Sequence, residues 1–304
     1  MYTKLQDFQK LSTWQLILLA NEERKRLAGG KIELCSITNA KSGRCGEDCR
    51  FCAQSIHYNT KISVYPLKSK DELLAQAKRA KEIGAKRFSI VTSGKGPDRQ
   101  EVEKIAEVIN IIKEKIGISP CASLGILDTK SLVLLKDAGL NRYHHNIETS
   151  RRFYPNIVTT HTFDDRIRTI RAAQEAGLEV CSGGIIGLGE SEEDRVDMAL
   201  TLRDLNVNSI PINILVPLKG TPLEGTENIS AAEVLRTIAI FRLITGNMTI
   251  RIAAGRESVL KDFQGLAFIA GANGMMIGGY LTVKGRSPEE DLAMISEIRK
   301  LWNG

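Results

Sequence analysis

Three cysteines stand within eight residues, in the run Cys45-Gly-Glu-Asp-Cys49-Arg-Phe-Cys52. A C-x3-C-x2-C spacing gathers three soft thiolates on one loop, which is the donor set of zinc and iron–sulfur centres. A structural zinc site normally takes a fourth protein ligand. No fourth cysteine lies nearby, and His57 is the residue placed to complete such a set. An iron–sulfur cluster on three thiolates would instead leave one iron open to another molecule. The other cysteines, Cys35, Cys121 and Cys181, are scattered along the chain. Free buried cysteine is common, so each of these taken singly reads as a core residue.

Such a loop needs a rigid frame. Short apolar runs recur along the chain, each followed by an amphipathic stretch. The spacing predicts strands at Lys31–Ser36, Arg87–Thr92, Ser119–Leu124, Arg142–Ile147, Glu179–Ser182, Ser209–Ile214, Thr249–Ala253 and Gly274–Ile277. It predicts helices near Lys70–Ile83, Arg99–Lys115, Thr129–Ala138, Thr162–Ala176, Glu192–Leu205, Ala231–Ile244, Val259–Ile269 and Pro288–Leu301. Gly84, Gly139 and Gly177 follow three of these helices, where a left-handed C-terminal residue is expected. Eight strand–helix units of class α/β predict a (βα)8 barrel, with a doubly wound sheet as the competing arrangement. An extra helix, about Leu11–Arg26, precedes the first strand. The whole chain, 1–304, then reads as one barrel domain: a helical extension over 1–30 and the barrel over 31–304. The triple-cysteine loop follows the first strand, at the barrel end where active sites form.

Composition narrows the partners. Hydrophobic residues at 42% and charged residues at 26% are globular values and exclude disorder as the main state. The charge, 42 − 36 = +6, is small and spread out, so no nucleic acid is expected as partner. No apolar run approaches the ~20 residues that span a bilayer, so no membrane is expected. The N-terminal stretch lacks a signal-peptide cleavage pattern, which predicts a cytoplasmic protein with reduced cysteines. Gly183, Gly184, Gly187 and Gly189 permit close backbone approach but do not form a phosphate loop.

The motif Cys45-x3-Cys49-x2-Cys52, with Phe51 before its last cysteine, resembles the signature of the radical S-adenosylmethionine superfamily. The resemblance implies a [4Fe–4S] cluster on the three cysteines, with S-adenosylmethionine on the fourth iron and cleaved there to a 5′-deoxyadenosyl radical. Further segments are similar to the biotin synthases. They are Tyr143-His-His-Asn146-Ile-Glu148-Thr-Ser150, Val180-Cys181-Ser-Gly-Gly-Ile-Ile-Gly-Leu-Gly189-Glu190 and Pro211-Ile-Asn213-Ile-Leu. Lys219-Gly-Thr-Pro222-Leu, Arg251-Ile-Ala-Ala-Gly-Arg256-Glu257 and Gly279-Tyr-Leu-Thr282 with Pro288-Glu-Glu-Asp291 follow in order. Each piece is weak alone; six in order are specific and cover nearly the whole chain. The resemblance implies a sulfurtransferase that inserts sulfur between C6 and C9 of dethiobiotin, fed by an auxiliary iron–sulfur cluster, [2Fe–2S] in the family. It also implies a homodimer and a flavodoxin or ferredoxin electron donor. A related radical enzyme acting as a mutase or in cofactor maturation, and a noncatalytic iron–sulfur protein, stay open as alternatives.

The resemblance assigns residues one by one. Cys121, Cys181 and Arg251 match ligands of the auxiliary cluster, and a barrel-interior arginine does need an anionic partner. The family's third cysteine of that set falls at Ser89, and a hydroxyl is a poor ligand for a soft centre. Cys35, at the end of the predicted first strand, is the candidate replacement. Cys35, Cys121, Cys181 and Arg251 fall on the first, third, fifth and seventh strands, which share layers in such barrels. A larger cluster of four irons on three thiolates then becomes possible. Phe51, Ser93, Asn146, Glu148 and Arg166 match positions near S-adenosylmethionine, and Asn146, Asn213 and Thr282 match positions near dethiobiotin. Glu148 stands for a shorter family Asp, and His144 for a common family Asn. His57, His145 and His161 show no ligand spacing and read as loop or surface residues.

Overall fold

Eight parallel strands close into a barrel in the computed structural model, which describes residues 5–281 and 285–303. They are β1 (Glu33–Lys41), β2 (Arg87–Thr92), β3 (Ser119–Ser123), β4 (Arg142–His144), β5, β6 (Ser209–Ile214), β7 (Thr249–Ile252) and β8 (Gly274–Met276). β5 runs in two segments, Glu179–Cys181 and Gly184–Ile186. Cys181 lies opposite Ser209 and Gly184 opposite Ile212, the same offset, so the segments are one interrupted strand. Closure comes where Glu33 of β1 pairs with Gly274 of β8. A closed barrel leaves no unpaired sheet edge, and this excludes the doubly wound alternative.

The period-two alternation of the strands sorts the side chains. On β2, Phe88 and Ile90 are buried under helices, while Arg87, Ser89 and Val91 face the barrel interior. The helices begin where short polar side chains can cap them. Ser69, Asp98, Asp128, Thr162, Ser191 and Ser230 each accept from the backbone N–H three residues on. They end as expected at Gly84, Gly139 and Gly177, with φ of +89°, +103° and +75°.

The structure departs from the expected elements in several places: the strand expected over Arg142–Ile147 stops at His144, and the one expected over Glu179–Ser182 breaks after Cys181 and resumes at Gly184. β1 runs on through Ser36 to Lys41, because Thr38 and Asn39 pair with Ile90 and Val91 despite their polar side chains. Cys35 therefore sits inside β1, not at its end. The helix expected to reach Lys115 is regular over Arg99–Ile111 and finishes as a wider turn, Ile112–Ile116. The helix expected over Val259–Ile269 breaks into Arg256–Leu260, a tight turn Lys261–Gly265, and Leu266–Ile269. The N-terminal helix, Thr13–Ala28, starts on a Ser12–Gln15 capping box and buries Leu16, Ile17 and Ala20; it packs on the Ala231–Thr245 helix. Among the described residues, no helix is long and apolar enough to cross a membrane.

Candidate active site

A cavity of about 410 Å³ runs from the barrel interior to the loops after β6, β7 and β8. Its polar floor is built from Glu33, Arg87, Arg142 and Glu179, the first residues of their strands, and from Arg251 of β7. Glu33 Oε2 accepts from Arg87 Nε at 2.9 Å, and Glu33 Oε1 from Arg142 Nη1 at 3.0 Å and from Arg251 Nη2. Glu179 Oε2 binds Arg142 Nη2 at 2.8 Å and Arg87 Nη2 at 3.1 Å. Burial works to raise the Glu33 carboxyl, but Arg251, Arg142 and Arg87 prevail and hold it down to about 2. Three guanidiniums against two carboxylates leave this end of the cavity positive.

Above the floor, Cys35, Cys121 and Cys181 line one cavity with Arg251. Each thiol lies close enough to feel the charge of the other two or of Arg251. Burial raises Cys35, and pushes Cys121 up to about 12. Burial would raise Cys181 too, but a hydrogen bond from His144, with His144, Arg251 and Arg142 as nearby charges, brings it down to about 6. Arg251 donates from Nη1 to Ser209 Oγ at 2.8 Å and lies 3.7 Å from Cys181 Sγ, while its buried Nε has no partner. Ser89 also faces the cavity, opposite Cys121 on β3. In register, Cys35 lies opposite Arg87, one inward position before Ser89. Exchange of Ser89 for Cys35 would thus move a ligand by one strand and one rung.

The triple-cysteine loop is fastened at several points. Cys45 N donates to Gln54 O at 3.0 Å, Ile56 N to Cys45 O at 2.8 Å and Cys52 N to Cys49 O at 2.9 Å. Asp48 accepts from the backbone N–H of Thr159 at 2.9 Å and of Thr160 at 3.2 Å. Phe51, between the last two cysteines, lines the cavity and so brings the loop to its wall. Burial, with repulsion from Cys45, pushes the Cys52 thiol up to about 11, and burial raises Cys49 further. His57, the alternative fourth zinc ligand, is exposed, with Nε2 3.0 Å from the Gly46 carbonyl. Among the described residues, no three His, Cys, Asp or Glu side chains converge tightly enough for a single metal ion.

Between loop and cavity lies a buried polar group. Arg166 donates to Tyr154 Oη at 2.8 Å and to the Asn146 carbonyl at 3.1 Å, and sits 3.4 Å from Glu148 Oε1. Glu148 occupies the left-handed region at φ +67°, a conformation held by its bridge to Gly184. Asn146 donates to Glu148 Oε2 at 3.2 Å and accepts from Gly183 N at 3.1 Å. Asn213 donates to Gly184 O at 3.2 Å and accepts from Ala254 N at 3.3 Å. Together these two contacts use one donor and one acceptor site of the Asn213 amide and leave one of each for a ligand. Ser93 is buried and donates to the Gly43 carbonyl at 2.7 Å. Thr282 lies outside the described residues. Two histidines correct the sequence reading: His145 and His161 are buried. His161 bonds Glu47 through Nδ1 and Arg166 through Nε2 at 2.9 Å. Spacing on the chain gave no hint of this, because its partners are 114 and 5 residues away.

Residues 40–202 match the family model of the Radical SAM superfamily, and residues 211–298 that of the Biotin and Thiamin Synthesis associated domain. A biotin synthase of Thermotoga petrophila is 52% identical over 299 residues, covering 98% of this chain and 99% of that protein. One of Pelotomaculum thermopropionicum is 52% identical over 285 residues, covering 94% and 89%. This chain belongs to the biotin synthase family. The biotin synthases are radical S-adenosylmethionine sulfurtransferases with a [4Fe–4S] cluster and an auxiliary iron–sulfur cluster. Among solved structures, methylornithine synthase superposes with a TM-score of 0.81 at 21% identity, covering 94% of this chain and 88% of that one. An [FeFe]-hydrogenase maturase from Carboxydothermus hydrogenoformans gives 0.81 at 18% identity, covering 94% and 70%. At such identities the likeness is one of fold.

The residues fit the family's two clusters. The orphaned Arg251 Nε, three neighbouring thiols and a net-positive floor suit an anionic, sulfide-rich group in the barrel. Burial and mutual repulsion raise the Cys49 and Cys52 thiols, and a cationic metal core would relieve both by taking them as thiolates.

Proposed function

We infer that this chain makes biotin from dethiobiotin through the residues assembled in this one cavity. The observation that carries the reading is that they line one cavity: Phe51 from the cysteine loop, Cys35, Cys121, Cys181 and Arg251 from the strands, and Asn146 and Asn213 two residues beyond His144 and Pro211, which pair with Cys181 and Arg251. When bound, the cluster and S-adenosylmethionine supply a carbon radical, and the auxiliary cluster supplies sulfur. Cys45, Cys49 and Cys52 would hold the first centre, and Cys121, Cys181, Arg251 and Cys35 the second. Arg166 orients the methionine carboxylate of S-adenosylmethionine, and Glu148 accepts from its ribose hydroxyls. Ser93 fixes the Gly43 backbone beside the cofactor. The free donor and acceptor of Asn213 suit the neutral urea of dethiobiotin, with Asn146 as a second amide on the same cavity.

The same reading takes the chain as one domain, working in the cytoplasm as a homodimer with flavodoxin or ferredoxin as electron donor. Anaerobically reconstituted protein should release 5′-deoxyadenosine from S-adenosylmethionine under dithionite. Cys49→Ala should abolish this, since a three-thiolate site has no spare protein ligand. Cleavage at the wild-type rate in Cys49→Ala would overturn the assignment.

A further inference from the structure

The buried group that joins the cysteine loop to the cofactor side contains a residue with no role so far. His161 stands between Glu47, which lies inside the C-x3-C-x2-C run, and Arg166, which reaches Glu148 and Asn146 at the cavity. A guanidinium carries only donors, so His161 Nε2 must accept from Arg166 Nη2. Nδ1 then carries the ring proton and donates to the Glu47 carboxylate. Burial and the Arg166 charge lower the His161 pKa, and the ring stays neutral beside Glu47. Both nitrogens are thereby engaged, which leaves the ring no lone pair for iron.

The contacts around His161 keep its ring in one orientation. Tyr154 meets it edge-on, with ring centroids 6.1 Å apart, and the Tyr154 hydroxyl accepts from Arg166 Nε at 2.8 Å. Thr160, next in the chain, donates to Glu47 Oε2 at 2.6 Å. We propose that His161 is a positioning residue that locks the triple-cysteine loop to the Arg166–Glu148 pair at one fixed spacing. The loop and that pair come from distant parts of the chain, and S-adenosylmethionine must meet both at once. A displacement of about 1 Å between them would weaken binding and orientation together. Arginine or lysine could not replace the ring, because neither can accept from Arg166. Glutamine could, since its amide offers an acceptor and a donor at similar separation.

This inference rests on the reading that Arg166 faces S-adenosylmethionine. The test compares His161→Leu and His161→Gln with the wild type, all anaerobically reconstituted. S-Adenosylmethionine is titrated against the electron paramagnetic resonance spectrum of the reduced cluster. His161→Leu should shift the midpoint upward about tenfold or more, the scale of a buried hydrogen bond to a charged group. His161→Gln should stay within about threefold, because the donor–acceptor pair survives. In steady state the Leu variant should raise KM more than it lowers kcat. In the metal-free proteins, amide exchange over residues 45–56 should quicken in His161→Leu and not in His161→Gln. Should the Leu variant fail to fold, Glu47→Ala cuts the same link from the loop side and should give the same two shifts. A wild-type midpoint with unchanged exchange, in either Leu or Glu47→Ala protein, overturns the proposal. Wild-type protein whose cluster spectrum ignores S-adenosylmethionine would instead overturn the reading of the site.

Discussion

Three guanidiniums and two carboxylates share the floor of the cavity, and their imbalance sets the charge that the barrel thiols meet. Glu33 is the hinge of this network, held near 2 by Arg251, Arg142 and Arg87 against an ordinary value of 4.5. Its folded value lies below its unfolded one, so its contribution is complete above that ordinary value and fades as pH falls toward 2. In metal-free protein, Glu33→Gln should cost ~3 kcal/mol near pH 6 and clearly less near pH 3. Urea unfolding at the two pH values checks this; an equal cost at both would mean that Glu33 is not held ionised by the arginines. The exchange of Ser89 for Cys35 is the second question at this scale. Cys35→Ser should damage biotin formation and spare 5′-deoxyadenosine release, because Cys35 lies outside the C-x3-C-x2-C loop. Ser89→Ala should leave both nearly intact, since a hydroxyl contributes little to a soft centre. Biotin formed per chain in a single turnover separates the cases; a damaging Ser89→Ala with a mild Cys35→Ser would make Ser89 the ligand.

Strands and helices carry these residues with little freedom, and β5 shows why. Its interruption at Ser182-Gly183 lets the strand pass close to β6: a Cβ on Gly183 would lie 2.0 Å from the Pro211 carbonyl oxygen. One on Gly184 would lie 2.3 Å from the Glu148 carbonyl oxygen. Gly183→Ala should therefore force the backbones apart and destabilise the barrel by ~2 kcal/mol or more. A lowered melting temperature would register this; an unchanged one would mean that the strands part freely. Much of this architecture was legible in the sequence. Arg87–Thr92 and Ser209–Ile214 stand where apolar runs and turn residues put them, and Gly84, Gly139 and Gly177 marked the ends of three helices. The second half of β5 was not legible, because Ile185-Ile186 after two glycines reads as a loop when its partner strand is unknown. The far end of β1 was hidden likewise, since Thr38 and Asn39 are strand residues only by virtue of β2. For the site, chain spacing exposed the cysteine loop, and alternate-strand layering anticipated that Cys35, Cys121, Cys181 and Arg251 share a cavity. His161 escaped because its role comes from contacts between distant segments, and single-residue spacing is blind to those.

At the scale of the molecule, the barrel is closed by its strands and plugged outside by the chain's two terminal helices. The Arg24 guanidinium lies 3.6 Å over the Trp302 ring, and Trp302 meets Phe268 edge-on. The helices Thr13–Ala28 and Pro288–Asn303 thus pack against each other outside the barrel, and Asp291 of the second accepts from Arg256 Nη2 at 2.6 Å in the segment after β7. On the proposed function, the whole assembly would bring the triple-cysteine loop, the Asn213 wall and the cysteines of the barrel interior to one substrate. The most direct measurement is biotin formed from dethiobiotin by anaerobically reconstituted protein, given S-adenosylmethionine and a reductant, with 5′-deoxyadenosine followed in the same sample. Wild-type protein should form both products, Cys49→Ala neither, and Cys121→Ala 5′-deoxyadenosine with little or no biotin. Wild-type protein that releases 5′-deoxyadenosine yet forms no biotin, or a Cys121→Ala variant that forms biotin at the wild-type level, would contradict the account.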